Sequence, residues 1–326
     1  MTNRRGSATL RASRNPTTEP RRDPAGNFMT SATTNARGIA AMLFATASYV
    51  VCDTFMKLVT KAGVPPFEVL FLRGIFAVTC CAALLLALGQ WRGIGRAFSK
   101  ASLLRAGFET VSVLCYIVAL ASMPIADVIA IVQTAPLLFI LMIATIGREQ
   151  IGMLRIGLIA AGFVGALLVA QPNTSGFSAA ALLAFASALV LAMRDIAGRA
   201  VSSAIPALAA TLVTNIVVLV ASGTGMVLVE DVVMPDPHHL LYLLASGFFV
   251  TLGHYGVFIA YRLGAPAVIA PFFYSFAVWA VLSGLIVFSE LPNPVALIGI
   301  AAIMASGLAI VLLDRQKARE LAAVPE

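Results

Sequence analysis

The chain has 326 residues, of which 60% are hydrophobic and only 11% are charged, and its net charge is +7. A soluble domain typically carries about 25% charged residues, so this composition excludes an ordinary soluble protein. The mean hydropathy of +0.94 predicts a chain that crosses the membrane many times. The basic residues fall in tails and short loops, where membrane topology explains them better than a nucleic-acid partner does.

The first 37 residues differ sharply from the rest of the chain. They hold seven arginines together with many Ser, Thr, Asn and Pro residues. A segment of this kind buries too little apolar surface to fold alone, so we predict a disordered basic cytoplasmic tail over 1–37. Translation from Met29 instead of Met1 would remove most of this tail.

Ten apolar segments follow, each close to the ~20 residues that a helix needs to cross a bilayer. They are continuously apolar, whereas barrel strands alternate polar and apolar residues. The predicted fold class is therefore an all-α membrane protein with ten transmembrane helices, followed by a cytoplasmic tail over 314–326. The segments are 38–59, 66–89, 102–121, 124–146, 151–170, 177–197, 206–228, 239–261, 265–288 and 294–313.

The distribution of Lys and Arg predicts how these helices are oriented. Of the 22 basic residues, 19 fall on one side of the predicted topology. Because basic loops remain in the cytosol, both termini are predicted to be cytoplasmic, in a multi-pass protein of the bacterial inner membrane. The loop Glu230–Asp236, on the other side, is acidic.

Two charge pairs with the same spacing occur 142 positions apart. Asp53 and Lys57 lie in the first segment, and Asp195 and Arg199 lie at the end of the sixth. Residues four apart share one face of a helix, so each pair can touch. Other matches recur at nearly the same offset: Val128-Ile-Ala130 as Val268-Ile-Ala270, Glu149 as Glu290, and Gly165 as Gly307.

These matches predict two five-helix repeats, 38–170 and 177–313. Because each repeat has an odd number of helices, the second must be inverted in the membrane. Inverted repeats are common in transporters, which bind their substrate near the midplane between the repeats.

Ionisable groups inside a bilayer are costly and usually mark a functional path or an internal pair. Asp53, Lys57, Glu68 and Arg73 are predicted at similar depths toward the outer face, where they could form one charge cluster. Arg194, Asp195 and Arg199 lie toward the cytosolic end of the sixth segment. These residues are candidates for gating or coupling at the two mouths of a path. The alternative is static pairing, with Lys57 and Arg199 reaching the interfaces.

Two further residues are candidates for proton coupling. Glu109 lies in the third segment, where it either pairs with Arg105 at i−4 or carries a proton. His254 lies near mid-depth in the eighth segment, and an imidazole suits a proton relay because it titrates near physiological pH. The alternative for His254 is a hydrogen-bonded packing residue between small glycines.

Segments four and nine carry polar, aromatic and proline residues at related positions. A proline inside a membrane helix frees a backbone carbonyl, which needs a partner or lines a cavity. We therefore predict a central substrate pocket between these two segments. Its candidate residues are Gln133, Thr134, Pro136, Phe272, Tyr274 and Trp279, whose aromatic members could stack on a planar substrate.

Several families of enzymes and pumps are excluded by missing motifs. The chain lacks GxxxxGK[ST], HExxH and GxSxG, which argues against an ATP-driven module and against a membrane protease or lipase. Its four cysteines lack metal-ligand spacing. We predict no enzymatic activity, no cofactor and no metal site.

The order of these features resembles the drug/metabolite transporter superfamily of the EamA type. The resemblance covers about residues 38–313, and one departure is internal, because Pro136 to Glu149 is shorter than Pro271 to Glu290. The residues that carry it are Asp53 and Lys57, Glu68 and Arg73, Pro124 to Pro136 with Glu149, and Ala265 to Tyr274 with Trp279 and Glu290-Leu-Pro292.

The resemblance implies a secondary transporter that moves a small metabolite by alternating access. The family's candidate substrates include amino acids and related metabolites, S-adenosylmethionine and riboflavin. The aromatic residues of Pro271–Trp279 favour riboflavin uptake, because they suit a flat ring system. Expected partners are the substrate, the lipid bilayer and a proton or another coupling ion, and a homodimer is left open. A membrane enzyme or a non-transporting subunit is the competing class.

Overall fold

The computed structural model describes residues 24–147, 152–171, 178–202, 204–264 and 266–322. Ten of its helical segments are long and apolar enough to cross a bilayer. The predicted all-α fold with ten transmembrane helices is confirmed. In chain order, spans 1 to 10 are Asn35–Lys61, Pro66–Ala87, Lys100–Ser122, Ile125–Ile146, Met153–Ala170, Ala179–Gly198, Ala207–Val229, Pro237–Leu263, Ala270–Phe288 and Pro294–Leu313.

The first and last helices are longer than the predicted segments. Span 1 belongs to the helix Pro24–Lys61, which begins inside the stretch predicted to be a tail. The last helix, Pro294–Ala322, continues beyond span 10. Once a helix is nucleated, each added residue gains a hydrogen bond, so it can extend past its apolar stretch. The rest of the predicted tails, 1–23 and 323–326, lies outside the described residues.

The local sequence explains where several spans begin. Span 2 begins at Pro66, where the missing N–H would have no helical partner in any case. Spans 3 and 6 are capped by serine hydroxyls. Ser99 accepts a hydrogen bond from the Ser102 amide at 3.3 Å, and Ser178 accepts one from the Ala181 amide at 3.1 Å.

Spans 4 and 9 are interrupted. Span 4 consists of the helices Ile125–Val132 and Ala135–Gly147, with a turn between them. Span 9 begins with the 3-10 turn Ala270–Tyr274 before the helix Ser275–Phe288. Pro136 and Pro271 lie beside or within these interruptions, where the missing proline N–H weakens the helical ladder.

The spans pack in a pattern that relates the two halves of the chain. Span 1 packs most closely on span 8, and span 3 on span 6. Span 2 contacts span 8, and span 3 contacts span 7. Spans 5 and 10 pack on each other, as do spans 2 and 7. Exchanging span numbers 1–5 with 6–10 converts pair 1–8 into pair 3–6 and pair 2–8 into pair 3–7, and leaves pairs 5–10 and 2–7 unchanged.

Glycines allow the closest of these approaches. A Cβ atom on Gly165 of span 5 would lie 2.7 Å from the Gly299 carbonyl oxygen of span 10, and one on Gly299 would lie 2.5 Å from that of Gly165. The two backbones therefore touch without an intervening side chain, as small residues allow in membrane helices.

The helical bundle has two end faces. The terminal face is the face where span 1 begins and span 10 ends, and the opposite face is where span 1 ends and span 2 begins. The largest buried cluster lies between them and draws on spans 1 to 6 and 8 to 10, together with Val218 of span 7.

Candidate functional site

One face of span 1 presents polar side chains to the interior of the bundle. Thr46, Tyr49, Asp53 and Lys57 are spaced three or four residues apart, which places them on one helical face. Each has a partner on a different span or loop. Thr46 Oγ1 lies 2.8 Å from Ser275 Oγ of span 9, at the start of this row. Together these side chains follow the span toward the opposite face.

Lys57 lies at the opposite face and is almost completely buried, with 1% of its surface exposed. Its Nζ donates to the Met123 carbonyl oxygen at 2.8 Å and to Glu290 Oε2 at 3.1 Å. Lys61, one turn further, bonds the other carboxylate oxygen of Glu290. Lys57, Lys61, Glu290 and the Met123 carbonyl form the opposite-face cluster, which joins span 1 to the ends of spans 3 and 9.

The two lysines also govern the acidity of Glu290, which lies in the loop after span 9. Partial burial alone would raise the pKa of this carboxyl group, but the hydrogen bonds and charges of Lys61 and Lys57 outweigh it. The pKa of Glu290 is therefore held below its ordinary value. The carboxylate stays ionised at neutral pH, so it can keep both lysines bound.

Asp53 lies deeper in the bundle and does not pair with Lys57. Its carboxylate is 7% exposed and accepts a hydrogen bond from Tyr116 Oη of span 3 at 2.7 Å. The predicted contact between Asp53 and Lys57 does not form, because each side chain finds a closer partner on another span or loop. Intrahelical charge pairs contribute only about 0.2–0.5 kcal/mol, so partners across the bundle readily outcompete them.

Arg73 and Glu68 of span 2 do not join Asp53 and Lys57 in the single outer cluster that was predicted. The Arg73 guanidinium, 7% exposed, has Nη1 3.6 Å from Cys52 Sγ, and its buried Nε has no hydrogen-bond partner among the described residues. Glu68 Oε2 instead accepts a hydrogen bond from the Val233 amide at 2.9 Å. The side chains lie near one another in depth, but they serve separate contacts.

A second group of charges lies toward the terminal face, between spans 3 and 6. Arg194 Nη1 is 2.6 Å from Glu109 Oε2, and Arg194 Nη2 is 2.6 Å from Asp195 Oδ1. Arg105 approaches Glu109 at 3.9 Å and donates to Thr214 Oγ1 at 3.3 Å. We call Arg105, Glu109, Arg194 and Asp195 the terminal-face cluster.

The predicted Asp195–Arg199 pair does not form. Asp195 forms its ion pair with the neighbouring Arg194. The exposed Arg199 instead has its guanidinium carbon 5.0 Å from the centre of the Phe139 ring. The predicted pairing of Glu109 with Arg105 is present but is the longer of two, because Arg194 approaches Glu109 more closely. Glu149, predicted as the repeat partner of Glu290, lies outside the described residues.

His254 packs between spans 1 and 8, next to the row of polar side chains. Its Nδ1 lies 2.8 Å from the Val250 carbonyl oxygen, and its ring meets Tyr49 edge to face at 5.3 Å. The absence of a side chain at the neighbouring Gly253 makes space for the Tyr49 ring, because a Cβ atom there would lie 2.6 Å from Tyr49 Cε1. These contacts match the packing alternative for His254 and place its imidazole beside Tyr49.

The interrupted parts of spans 4 and 9 lie against each other. Gln133 Nε2 donates to the Phe273 carbonyl oxygen at 3.5 Å, whereas its buried Oε1 has no partner among the described residues. Thr134 is fully buried and bonds the Ile131 carbonyl oxygen of its own span at 2.7 Å. Tyr274 is buried against Gly307 of span 10. Phe272 packs in a separate cluster with Met42, Ala260 and Ile269.

Trp279 lines a cavity of about 340 Å³ between spans 1 and 9. A hydrogen bond of 2.6 Å between Thr54 Oγ1 and Ser283 Oγ joins the spans there, and the indole Nε1 of Trp279 is buried without a partner among the described residues. Of the six residues predicted for the pocket, Trp279 is the one that lines this cavity. Its lining residues are Ala47, Val50, Val51, Thr54, Phe55, Leu58, Trp279, Ser283, Ile286 and Val287.

Sequence reasoning missed two tyrosines that contact or belong to the polar row on span 1. Tyr49 and Tyr116 are single tyrosines inside apolar segments, so composition gives them no weight. Helical spacing would have found both. Tyr49 lies four residues before Asp53, and Tyr116 lies seven residues after Glu109, on the faces that carry the predicted charges. Among the described residues, no group of three His, Cys, Asp or Glu side chains is arranged to hold a metal ion.

Comparison with known proteins identifies the family. Residues 36–171 match the EamA-like transporter family. A riboflavin transporter of Vibrio cholerae is 25% identical over 291 residues, which cover 87% of this chain and 95% of the relative. Residues 36–171 therefore belong to the EamA-like transporter family, and the match to the relative extends along most of the chain. The resemblance noted from the sequence is thus confirmed, and the matched family is a family of transporters, not of enzymes.

Other relatives of this EamA-like transporter agree in extent. The riboflavin transporter of Rhizobium johnstonii is 28% identical over 218 residues, covering 67% of this chain and 72% of the relative. That of Brucella anthropi is 25% identical, covering 80% and 93%. A crystal structure of another protein has a TM-score of 0.61 at 20% identity and covers 85% of this chain and 98% of that chain, which supports the fold.

Proposed function

We propose that this EamA-like transporter imports riboflavin by alternating access. The observation that carries the proposal is the row of polar groups that runs through an otherwise apolar bundle, from Glu109 and Arg194 through Asp53 to Lys57. Such groups in membrane spans usually line a substrate or ion path. Relatives named riboflavin transporters, aligned over most of their lengths, supply the choice of substrate.

The two halves of the chain act as inverted repeats in this proposal. The support is the packing pattern, in which the contacts of spans 1–5 exchange with those of spans 6–10. Each half has five spans, so a duplicated unit must cross the membrane in the opposite sense. In transporters of this design, one repeat rocks against the other around a site near the midplane.

The charge clusters at the two faces are the proposed gates. Lys57 closes the opposite face in this arrangement by holding the ends of spans 3 and 9. Asp195 and Arg199 lie at the equivalent positions near the terminal face, where Arg199 has no carboxylate partner among the described residues. Opening of the opposite face would release Lys57 from Glu290. Asp53, Arg73, Glu109 and His254 are the candidates for coupling to a proton or another ion.

The substrate site is proposed at the interrupted parts of spans 4 and 9. Gln133, Thr134 and Pro136 lie at one break, and Phe272 and Tyr274 lie at the other, with Trp279 two turns along span 9. The unpartnered Oε1 of Gln133 and Nε1 of Trp279 are available to a ligand. The terminal face is proposed to be cytoplasmic, in the inner membrane, since most basic residues lie there.

The test is an uptake assay with the purified full chain in proteoliposomes. Labelled riboflavin is supplied with and without a proton gradient, and amino acids and S-adenosylmethionine are assayed in parallel. We expect saturable riboflavin uptake that a proton gradient stimulates, and Asp53→Asn is expected to remove the stimulation. Asp231→Asn, at an exposed loop position, is the matched control. Efflux of amino acids without saturable riboflavin uptake would overturn the choice of substrate.

A further inference from the structure

The guanidinium of Arg73 has unused hydrogen-bonding capacity inside the membrane. Among the described residues, its sole hydrogen bond is the 3.6 Å contact of Nη1 with Cys52 Sγ, and Nε is buried without a partner. A guanidinium presents five donors in a planar fork, and sulfur is a weak acceptor. Because a buried cation is costly without partners, this arrangement favours a ligand that brings acceptor atoms to Arg73.

An acceptor with similar spare capacity lies beside it. Asp53 follows Cys52 in the chain, is 7% exposed, and receives one hydrogen bond, from Tyr116. A carboxylate offers about four lone-pair sites, so most of its capacity is free. Among the described residues, no ion pair joins Asp53 to Arg73. A donor group and an acceptor group thus flank Cys52 without satisfying each other.

An aromatic surface lies one helical turn from this pair. Tyr49 is four residues before Asp53 on the same face of span 1, about 6 Å away along the helix axis. Its ring centre is 5.3 Å from that of His254 and 6.1 Å from that of Phe276 on span 9. A flat ring system could therefore lie against these side chains while its edge reaches Asp53 and Arg73.

We propose that Asp53 and Arg73 determine specificity by binding the polar edge of a planar heterocycle, with Asp53 accepting a ring N–H and Arg73 donating to an adjacent ring carbonyl. This inference rests on the proposed function, because the pyrimidine end of riboflavin's isoalloxazine ring carries an N–H between two carbonyls. Tyr49 and Phe276 contact the apolar part of the ring, and Phe276 lies 6.3 Å from Phe273 at the break in span 9, so this polar edge extends the substrate site proposed there. Tyr116 is a positioning residue that orients the Asp53 carboxylate through its hydroxyl.

The first experiment compares two substrates of the wild-type transporter that differ in whether the ring carries an N–H. Uptake of riboflavin is compared with uptake of 3-methylriboflavin, which keeps both carbonyls but lacks the ring N–H. A hydrogen bond to a buried charged group is worth enough to predict about a tenfold or larger preference for riboflavin. Excess unlabelled amino acids are added as competitors in a third arm, because a zwitterion also offers a donor and an acceptor.

Variants then assign the preference to the two residues. Asp53→Ala removes the acceptor and is expected to transport the two flavins equally, whereas Asp53→Asn keeps a carbonyl acceptor and part of the preference. Arg73→Lys keeps the charge but loses the fork, so it should raise KM for both flavins and leave their ratio unchanged. Asp195→Ala removes the carboxylate at the repeat position and should keep the wild-type ratio. A ratio of two substrates does not depend on the amount of folded protein.

The outcomes separate this inference from the proposed function. If the wild type imports riboflavin but does not distinguish 3-methylriboflavin, or if Asp53→Ala keeps the preference, the inference is overturned and riboflavin transport stands. If the wild type transports neither flavin, both proposals are overturned.

Discussion

Asp53 and Lys57 near the opposite face, and Asp195 and Arg199 near the terminal face, share the same spacing 142 positions apart, yet the two pairs make different contacts. Lys57 is buried and binds a carboxylate and a carbonyl from other parts of the chain. Its counterpart Arg199 is exposed and rests on an aromatic ring. Asp53 binds a phenol across the bundle, whereas Asp195 binds the residue beside it. Equal spacing in the sequence therefore does not produce equal contacts, and this asymmetry is the one expected if the two faces take turns in closing.

The largest expected effect comes from removing Arg194. Arg194→Leu leaves Glu109, which is 13% exposed, with Arg105 at 3.9 Å as its remaining ion-pair partner among the described residues. Breaking a largely buried pair in this way costs about 3 kcal/mol, so we expect a large fall in the unfolding temperature of the detergent-solubilised protein and loss of uptake. Arg199→Leu is the matched control and should cost less than about 1 kcal/mol, because it removes only a cation–π contact at an exposed position.

If both variants lose stability equally, the different contacts described for Arg194 and Arg199 at the terminal face are contradicted. Uptake rates of the two variants, normalised to the amount of folded protein, give an independent comparison.

At the opposite face the expected effect is smaller. Lys57→Met removes a buried cation, but Glu290 is partly exposed and keeps Lys61. We expect a cost of about 2 kcal/mol in unfolding free energy, mostly from the lost bonds of the ammonium group. Lys61→Met, at a side chain that is 45% exposed, should cost under about 1 kcal/mol. Thermal unfolding of both variants measures the difference, and equal costs would show that burial of Lys57 is not what matters.

Charge exchange compares the two faces directly. The double variant Lys57→Glu with Glu290→Lys should recover about 1–2 kcal/mol relative to the sum of its single variants, because the two side chains are in contact. The exchange Asp195→Arg with Arg199→Asp should show no such recovery, because these residues do not pair. A recovery at the terminal face, measured by the same double-mutant cycle, would contradict the contacts described for Asp195.

The smallest effect is a dependence on pH. Because Lys61 and Lys57 hold the pKa of Glu290 below its ordinary 4.5, the pair stabilises the protein fully above that value. This contribution is lost as the pH falls through the lowered pKa. The difference in unfolding temperature between wild type and Glu290→Gln should stay constant from about pH 8 to about pH 5.5 and shrink below about pH 4.5. A difference that already shrinks near neutral pH would contradict the role given to the lysines.

The ten spans could be predicted from the sequence because hydropathy and breakers alone define them. The interruptions of spans 4 and 9 were not predicted, although Pro136 and Pro271 lie at them. The partners of the charged residues could not be predicted. Lys57 has Asp53 within four residues, but its actual partners, Met123 and Glu290, lie 66 and 233 positions away. Such contacts depend on which spans become neighbours, and local spacing does not contain that information.

The same limit explains why the contacts of Tyr116 and Arg194 could not be predicted. A tyrosine in an apolar run has no charge to mark it, and Arg194 is one of several arginines near the end of span 6. Their roles become visible only when span 3 is placed beside spans 1 and 6. Glu109 shows an intermediate case, since the helical neighbour Arg105 was predicted correctly and the stronger partner was not.

The crossing of spans 5 and 10 has a practical consequence for engineering. Where Gly165 and Gly299 meet, backbone touches backbone, so any added methyl group acts directly as a spacer. Alanine at either position would push the spans apart by a small increment, and serine or valine would increase the separation further. A graded series at these two sites would therefore adjust the width of this seam in steps. The rate of transport could then be measured as a function of that width.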